Sequence, residues 1–134
     1  MNVDRTNELP LRSVEDVVRV RQATRDAATG MGFSLVEQTK IVTAASELAR
    51  NTVIYGGGGV ARVEAVSEGA RRGLRLVFED KGPGIADIEL ALRDGYTTGS
   101  GLGLGLSGAR RLMGEFAIES ALGSGTRITT VRWK

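Results

Sequence analysis

Glu47 and Asn51 are the first residues whose types and spacing could do chemistry. They lie in Ser46-Glu47-Leu48-Ala49-Arg50-Asn51. If that stretch is helical, positions i and i+4 share a face and the two side chains point the same way. A carboxylate there can accept a proton, and a carboxamide can give a metal an uncharged oxygen. The wet faces of many helices carry such a pair, so alone it decides nothing. Two glycine-rich stretches downstream add weight, Asp80-Lys81-Gly82-Pro83-Gly84 and Gly101-Leu102-Gly103-Leu104-Gly105. The chain's 19 glycines cluster instead of spreading, which argues for special backbone sites and against a flexible linker.

Asp80 closes the run Leu74-Arg75-Leu76-Val77-Phe78-Glu79-Asp80. The period of two puts it on the side of Leu74, Leu76 and Phe78. An inward carboxylate without donors is costly, so Asp80 either caps a turn or awaits a ligand's donor. Gly82 and Gly84 bracket Pro83, so the backbone can turn sharply and be approached closely. Glycines that open a helix, as Gly101 to Gly105 do, suit an anion, although such a loop is weak evidence by itself. A P-loop would need Gly-Lys-Ser/Thr where this chain has Gly105-Leu106-Ser107. A Rossmann fingerprint follows the first strand of a βαβ unit, whereas this loop comes late, after a hairpin and a polar stretch that reads as a lid.

Composition narrows the chemistry. The chain has no Cys and no His, which excludes disulfides, thiolate sites, imidazole bases and self-phosphorylation on histidine. Proton transfer near neutral pH then falls to a carboxylate, an amine or water, and Glu47 is the candidate. Net charge is +2, and the basic pairs Arg71-Arg72 and Arg110-Arg111 read as solvated faces. No basic stripe with interleaved aromatics appears, so no nucleic-acid partner is expected. Met1 to Glu8 is polar without an apolar signal core, and no stretch approaches the roughly 18 apolar residues of a membrane span. A cytoplasmic protein without a membrane partner is the expectation. At 134 residues the chain fits one domain, 1–134, able to bury about two-thirds of its unfolded surface.

The positioning elements follow from pattern. Pro10 allows Glu8–Arg12 only an edge strand. Ser13 with Asp16 predicts a capping box for a first helix with Val14, Val17 and Val18 apolar, and Gly30 an αL terminator. Ser34 with Glu37 predicts a better box. It opens a second helix with Ile41, Ala45, Leu48, Thr52 and Tyr55 on one face and Glu47, Arg50, Asn51 and Ile54 on another. Gly56 to Gly59 ends it, since each helical glycine costs about 1 kcal/mol relative to Ala. Strands are expected over 60–67 and 74–80, joined through 68–73, then a short helix over 87–93 and a helix over 107–113. A last hairpin, 116–122 and 126–133, turns at Gly123-Ser124-Gly125.

This order resembles the Bergerat-fold (GHKL) ATPases and kinases, the superfamily of gyrase, Hsp90, histidine kinases and MutL, over nearly the full chain. Glu47 to Asn51 matches the N box, Asp80 to Gly84 the first glycine box, Gly101 to Gly105 the second, and Gly125-Thr126 the closing threonine motif. The small size, the lack of His and Ala44 to Asn51 look like bacterial anti-sigma serine/threonine kinases, the stressosome switch kinases above all. The resemblance implies an α+β fold, a two-layer α/β sandwich whose mixed, mostly antiparallel sheet carries helices on one face. It implies ATP and Mg²⁺ as cofactors. Asp80 would take the adenine amino group, with Thr126 assisting through water. Asn51 would help hold Mg²⁺, and Glu47 would be the general base for an incoming serine or threonine hydroxyl. Gly82 and Gly84 would let the base stack. Gly101, Gly103 and Gly105 would give backbone N–H groups to the phosphates, with Thr97, Thr98 and Ser100 on the lid side. The implied partner is a STAS-domain substrate, joined by a second regulatory protein such as a phosphatase, in a partner-switching pathway.

One place departs from the pattern. Some anti-sigma kinases carry a basic residue just before the second glycine box, and this chain reads Thr98-Gly99-Ser100 there. Arg50 and Lys81 are then the cations left for the γ-phosphate. Two other functions share the motifs: a nucleotide-gated anti-sigma binding module with little catalysis, and a free-standing histidine-kinase catalytic domain. Glu47 favours the kinase, because a binding module needs no base there.

Overall fold

The computed structural model describes residues 1–85, 87–93 and 105–134. Five strands form one sheet in the order β1-β2-β3-β5-β4, and every pairing among the described residues is antiparallel. In chain order the elements are β1 (Asn2–Leu11), α1 (Val14–Gly30), α2 (Leu35–Ile54), β2 (Gly59–Glu68), β3 (Arg71–Asp80), α3 (Ile88–Ala91), α4 (Gly105–Met113), β4 (Glu115–Ala121) and β5 (Gly125–Trp133). The expected α+β architecture is present.

The core lies between the helices and one sheet face. Leu74, Leu76 and Phe78 of β3, Ala61 and Val63 of β2 and Ile128 of β5 meet Val17 and Val20 of α1, Ile41, Ala45 and Leu48 of α2, and Ala109 and Met113 of α4. The α2 stripe is as expected except at its end, where Tyr55 is exposed, because the helix stops at Ile54 and Tyr55 only caps it. Ser34 and Glu37 form the predicted capping box.

The first helix corrects its prediction. Ser13 makes no side-chain cap; Asp16 instead reaches back and accepts from the Arg12 N–H at 2.8 Å. That bond above all, aided by Arg19 alongside, holds the Asp16 carboxyl below its ordinary value against the cost of burial. The packed stripe is Val17, Val20, Thr24 and Ala28, whereas Val14 and Val18 face solvent. Gly30 is the last helical residue, and the left-handed position falls two residues later at Gly32, φ +82°.

The edge strand is longer than Pro10 alone suggests. Nearly all of β1 is exposed, so no alternation marks it, yet it pairs with β2 from Asn2 to Leu11 around a bulge between Val3 and Arg5. The β2–β3 connection is correspondingly tight, only Gly69-Ala70 lying between the two strands.

Among the described residues the other sheet face carries no core cluster, yet Val66, Val77 and Val131 are buried there. Long side chains of the sheet itself cover them. Arg75 pairs with Glu64 at 2.7 Å, and Arg62 bridges to Glu79 and Glu8. Arg71 stacks on Trp133, 3.9 Å from the ring centroid. Arginine stems lying over valines keep their charged ends in water while shielding the apolar surface below.

Candidate nucleotide site

The site gathers where α2 ends and where β3 and β5 meet the loop after Asp80. Glu47 and Asn51 sit half-buried on the last turns of α2, beside the buried residues that fasten the helix to the sheet. The Asn51 carbonyl accepts from both Tyr55 N–H (2.9 Å) and Gly56 N–H (3.2 Å), which folds the chain at Gly56 directly against Asp80. A Cβ on Gly56 would lie 2.5 Å from Asp80 Oδ2 and 2.6 Å from its Cβ. Gly82 is pressed on the same point: its Cβ would meet the Gly56 carbonyl oxygen at 2.7 Å. The chain just after α2, Asp80 and Gly82 thus meet at one point.

Asp80 Oδ1 accepts the Gly82 N–H at 2.9 Å, and Oδ2 lies against Gly56. Asp80 is opposite Thr126 in the β3–β5 register, and directly opposed residues present their side chains on one face about 5 Å apart. Gly84 adopts φ +79° and passes so close to β4 that a Cβ would stand 2.8 Å from the Ala121 carbonyl carbon. The loop is tied there, with Gly123 N–H donating to Pro83 O at 2.8 Å and Ile85 N–H to Ser120 Oγ at 2.8 Å. Gly105 begins α4 with φ +68°. Arg132 of β5 donates to Leu112 O at 2.8 Å near the other end of that helix, where a cation complements the helix dipole. Thr97, Thr98, Ser100, Gly101 and Gly103 lie outside the described residues. Arg50 is half-buried next to Asn51, and Lys81 is exposed beside Asp80.

Two contributors escaped the sequence reading. Gly56 looked like the first of four helix-ending glycines; the close approach of Asp80 is what requires it. Ser120 looked like an ordinary polar position in a hairpin. The Gly-Ser-Gly-Thr turn that begins three residues on was the local hint that β4 meets the loop after Asp80.

Residues 36–134 match the family model described as histidine kinase-, DNA gyrase B- and HSP90-like ATPase. The chain belongs to this family. Within the GHKL ATPases it is 46% identical over 118 residues to serine/threonine-protein kinase RsbT of Bacillus subtilis (strain 168), covering 88% of this chain and 89% of that protein. It is 35% identical over 101 residues to an anti-sigma F factor of Clostridium kluyveri, covering 71% and 70%. Among solved structures, the RsbU and RsbW domains of Rv1364c from Mycobacterium tuberculosis share the fold, with a TM-score of 0.64 at 20% identity. That similarity covers 97% of this chain and 33% of that one. No helix among the described residues is long and apolar enough to cross a membrane.

The Gly56 contact gives a test of the pocket. Gly56→Ala should displace the Asp80 carboxylate, because backbone on one side and β3 on the other leave it little room. ATP affinity should fall at least about tenfold, roughly 1.4 kcal/mol, with the circular dichroism of the folded protein retained. Titration calorimetry finding wild-type affinity would mean that Asp80 can relax without consequence for the ligand.

Proposed function

We propose that this chain is an ATP-dependent protein serine/threonine kinase that phosphorylates a STAS-domain partner in a partner-switching pathway. The carrying observation is that Glu47 stands one helical turn before Asn51, whose backbone carbonyl holds the Gly56 N–H where the chain packs against Asp80, in a chain 46% identical to a named serine/threonine-protein kinase. Phosphoryl transfer is mostly positioning and charge stabilisation, and the parts match those needs. Asp80 and Thr126 would hold the adenine, Gly82 and Gly84 its face, Gly101, Gly103 and Gly105 the phosphates, and Thr97, Thr98 and Ser100 the lid side. Glu47 would take the proton of the acceptor hydroxyl.

Mg²⁺ fits the donor set. It keeps several waters and takes few protein oxygens beside substrate phosphates, so the Asn51 carboxamide suffices on the protein side, and the ion neutralises phosphate charge when bound. Partner switching has a physical basis as well. A serine that acquires about −1.5 to −2 charges beside Glu47 and ADP is repelled from a partly desolvated site, freeing the kinase for a second regulatory protein such as a phosphatase.

Incubation with labelled ATP and STAS-domain proteins is expected to put acid-stable phosphate on a serine or threonine. Surface plasmon resonance at fixed salt should then show the phosphorylated partner binding more weakly. Acid-labile label would instead favour a histidine-kinase catalytic domain. ATP-dependent binding without transfer would favour the anti-sigma binding module, a reading motivated by the 35% identity to an anti-sigma F factor. Transfer with equal affinity for both partner forms would leave an ordinary kinase and no switch.

A further inference from the structure

We infer that Arg50 is the cation that grips the γ-phosphoryl group as it passes from ATP to the acceptor hydroxyl, standing on the solvent side of Glu47 as Asn51 stands on its sheet side. The inference rests on the kinase reading above and deepens it.

The order of side chains around α2 carries it. Successive helical residues advance by about 100°, so from Glu47 the Asn51 side chain lies about 40° to one side and Arg50 about 60° to the other. Beyond Asn51, in the same sense, come Leu48 and Ile41, which are buried in the core. On the Arg50 side lie Thr39 and Thr43, both exposed. Arg50, Glu47 and Asn51 thus form a row that descends from solvent toward the sheet. Helical residues three and four apart have Cβ atoms about 5–6 Å apart, so the side chains that flank Glu47 reach one small volume above it.

The charge of Arg50 is uncommitted. Arg19, Arg62, Arg71 and Arg75 are held by Asp16, Glu79, Glu68 and Glu64, and Arg132 by the Leu112 carbonyl. Among the described residues Arg50 makes no hydrogen bond or ion pair. It is nevertheless half-buried, whereas Thr43 and Ile54 on the same outer side of the helix are exposed. A partly desolvated charge without a counter-ion is unfavourable, and an anion arriving beside it removes that penalty.

The transfer itself supplies the anion. The acceptor oxygen bonds to the γ-phosphorus as its proton passes to the Glu47 carboxylate. The bond from that phosphorus to the β,γ-bridging oxygen breaks, and ADP leaves with the electron pair. An acceptor carried on a separate protein comes from solvent, while the nucleotide lies on the Asn51 side. The phosphoryl group therefore crosses the row over Glu47 toward Arg50, with charge spread over its three equatorial oxygens. A guanidinium stays charged throughout and offers a planar fork to two of those oxygens. Lys81 is the other uncommitted cation near the site, but it adjoins Asp80, at the adenine end of a nucleotide whose γ-phosphate is at the opposite end.

The experiment measures the affinities of ADP and AMP-PNP, both with Mg²⁺, by competition against a fluorescent ADP analogue. It uses wild type, Arg50→Ala, Arg50→Lys and Lys81→Ala, each checked for native circular dichroism. Only AMP-PNP carries the terminal phosphoryl group. Arg50→Ala should weaken AMP-PNP relative to ADP by about tenfold or more, the usual loss for a hydrogen bond to a charged group, with ADP bound as by wild type. Arg50→Lys, which keeps the charge, should recover part of the ratio, and Lys81→Ala should leave it unchanged. If Arg50 only supports the helix, both nucleotides weaken together and the ratio stays; if it serves partner contact alone, neither affinity changes. Each of those results overturns the assignment while leaving the nucleotide site standing. A ratio lowered by Lys81→Ala and not by Arg50→Ala overturns it in favour of Lys81. A wild type that binds neither nucleotide removes the nucleotide reading itself. Should Arg50→Ala fail to fold, Arg50→Gln decides by the same ratio, and an unchanged value there is equally fatal.

Discussion

Asp80→Asn is expected to cost most of the ATP affinity while leaving the fold intact. A hydrogen bond to an ionised group is worth about 1.5–3 kcal/mol, roughly a ten- to 150-fold loss, and local geometry pushes toward the upper end. Gly82 N–H donates to one side-chain oxygen of Asp80 at 2.9 Å. In the amide that donor will claim the single oxygen, which turns the NH₂ toward the pocket, where an adenine amino group would meet donor against donor. Asp80 is the last residue of β3, outside the Leu74, Leu76 and Phe78 core, so unfolding is not the expected route of loss. Calorimetric titration of a folded variant that still bound ATP like wild type would remove Asp80 from the site.

Glu47→Gln should separate binding from turnover. The substitution keeps shape and removes the negative charge together with the basicity, on a helix whose anchoring residues Leu48, Ala45 and Ile41 are untouched. ATP affinity should stay within a few-fold of wild type, while phosphate transfer to a partner should drop by about 10²–10⁴, the usual contribution of a positioned base. Single-turnover measurements with saturating ATP read the chemical step directly. Transfer at the wild-type rate would show that the acceptor hydroxyl loses its proton to the nucleotide or to water, and Glu47 would lose its role.

What could be read from the sequence divides by physics. The strands that face the helices announced themselves, since Ala61 and Val63 alternate with Arg62 and Glu64, and Leu74 and Leu76 flank Arg75. The long polar β1 did not, because a strand exposed along nearly all its length has no reason to alternate. In α1 the valines misled: Val14, Val17 and Val18 look alike in sequence, and only the direction of α2 and the sheet decides that Val17 is buried and the other two wet. Asp80, Gly82, Gly84 and Thr126 were legible because they fall in motifs shared with a known superfamily. Gly56 and Ser120 fall in none, and what singles them out is the residues they touch. Contacts of that kind depend on which strands become neighbours, and β5 lying between β3 and β4 is not written in any local stretch.

The stacking of Arg71 on Trp133 also determines what the protein's own light can report. Trp133 is the single tryptophan and pairs with Gly73 at one end of β3, whereas Asp80 and Thr126 pair at the other. Seven residues of strand, about 23 Å, separate Trp133 from the Asp80–Thr126 pair. A guanidinium over the ring and Glu115 accepting from its N–H make its emission a gauge of whether the sheet's far end is assembled. Ultraviolet fluorescence therefore follows melting of the β3–β5 seam, and occupancy by nucleotide has to be watched through a dye placed elsewhere.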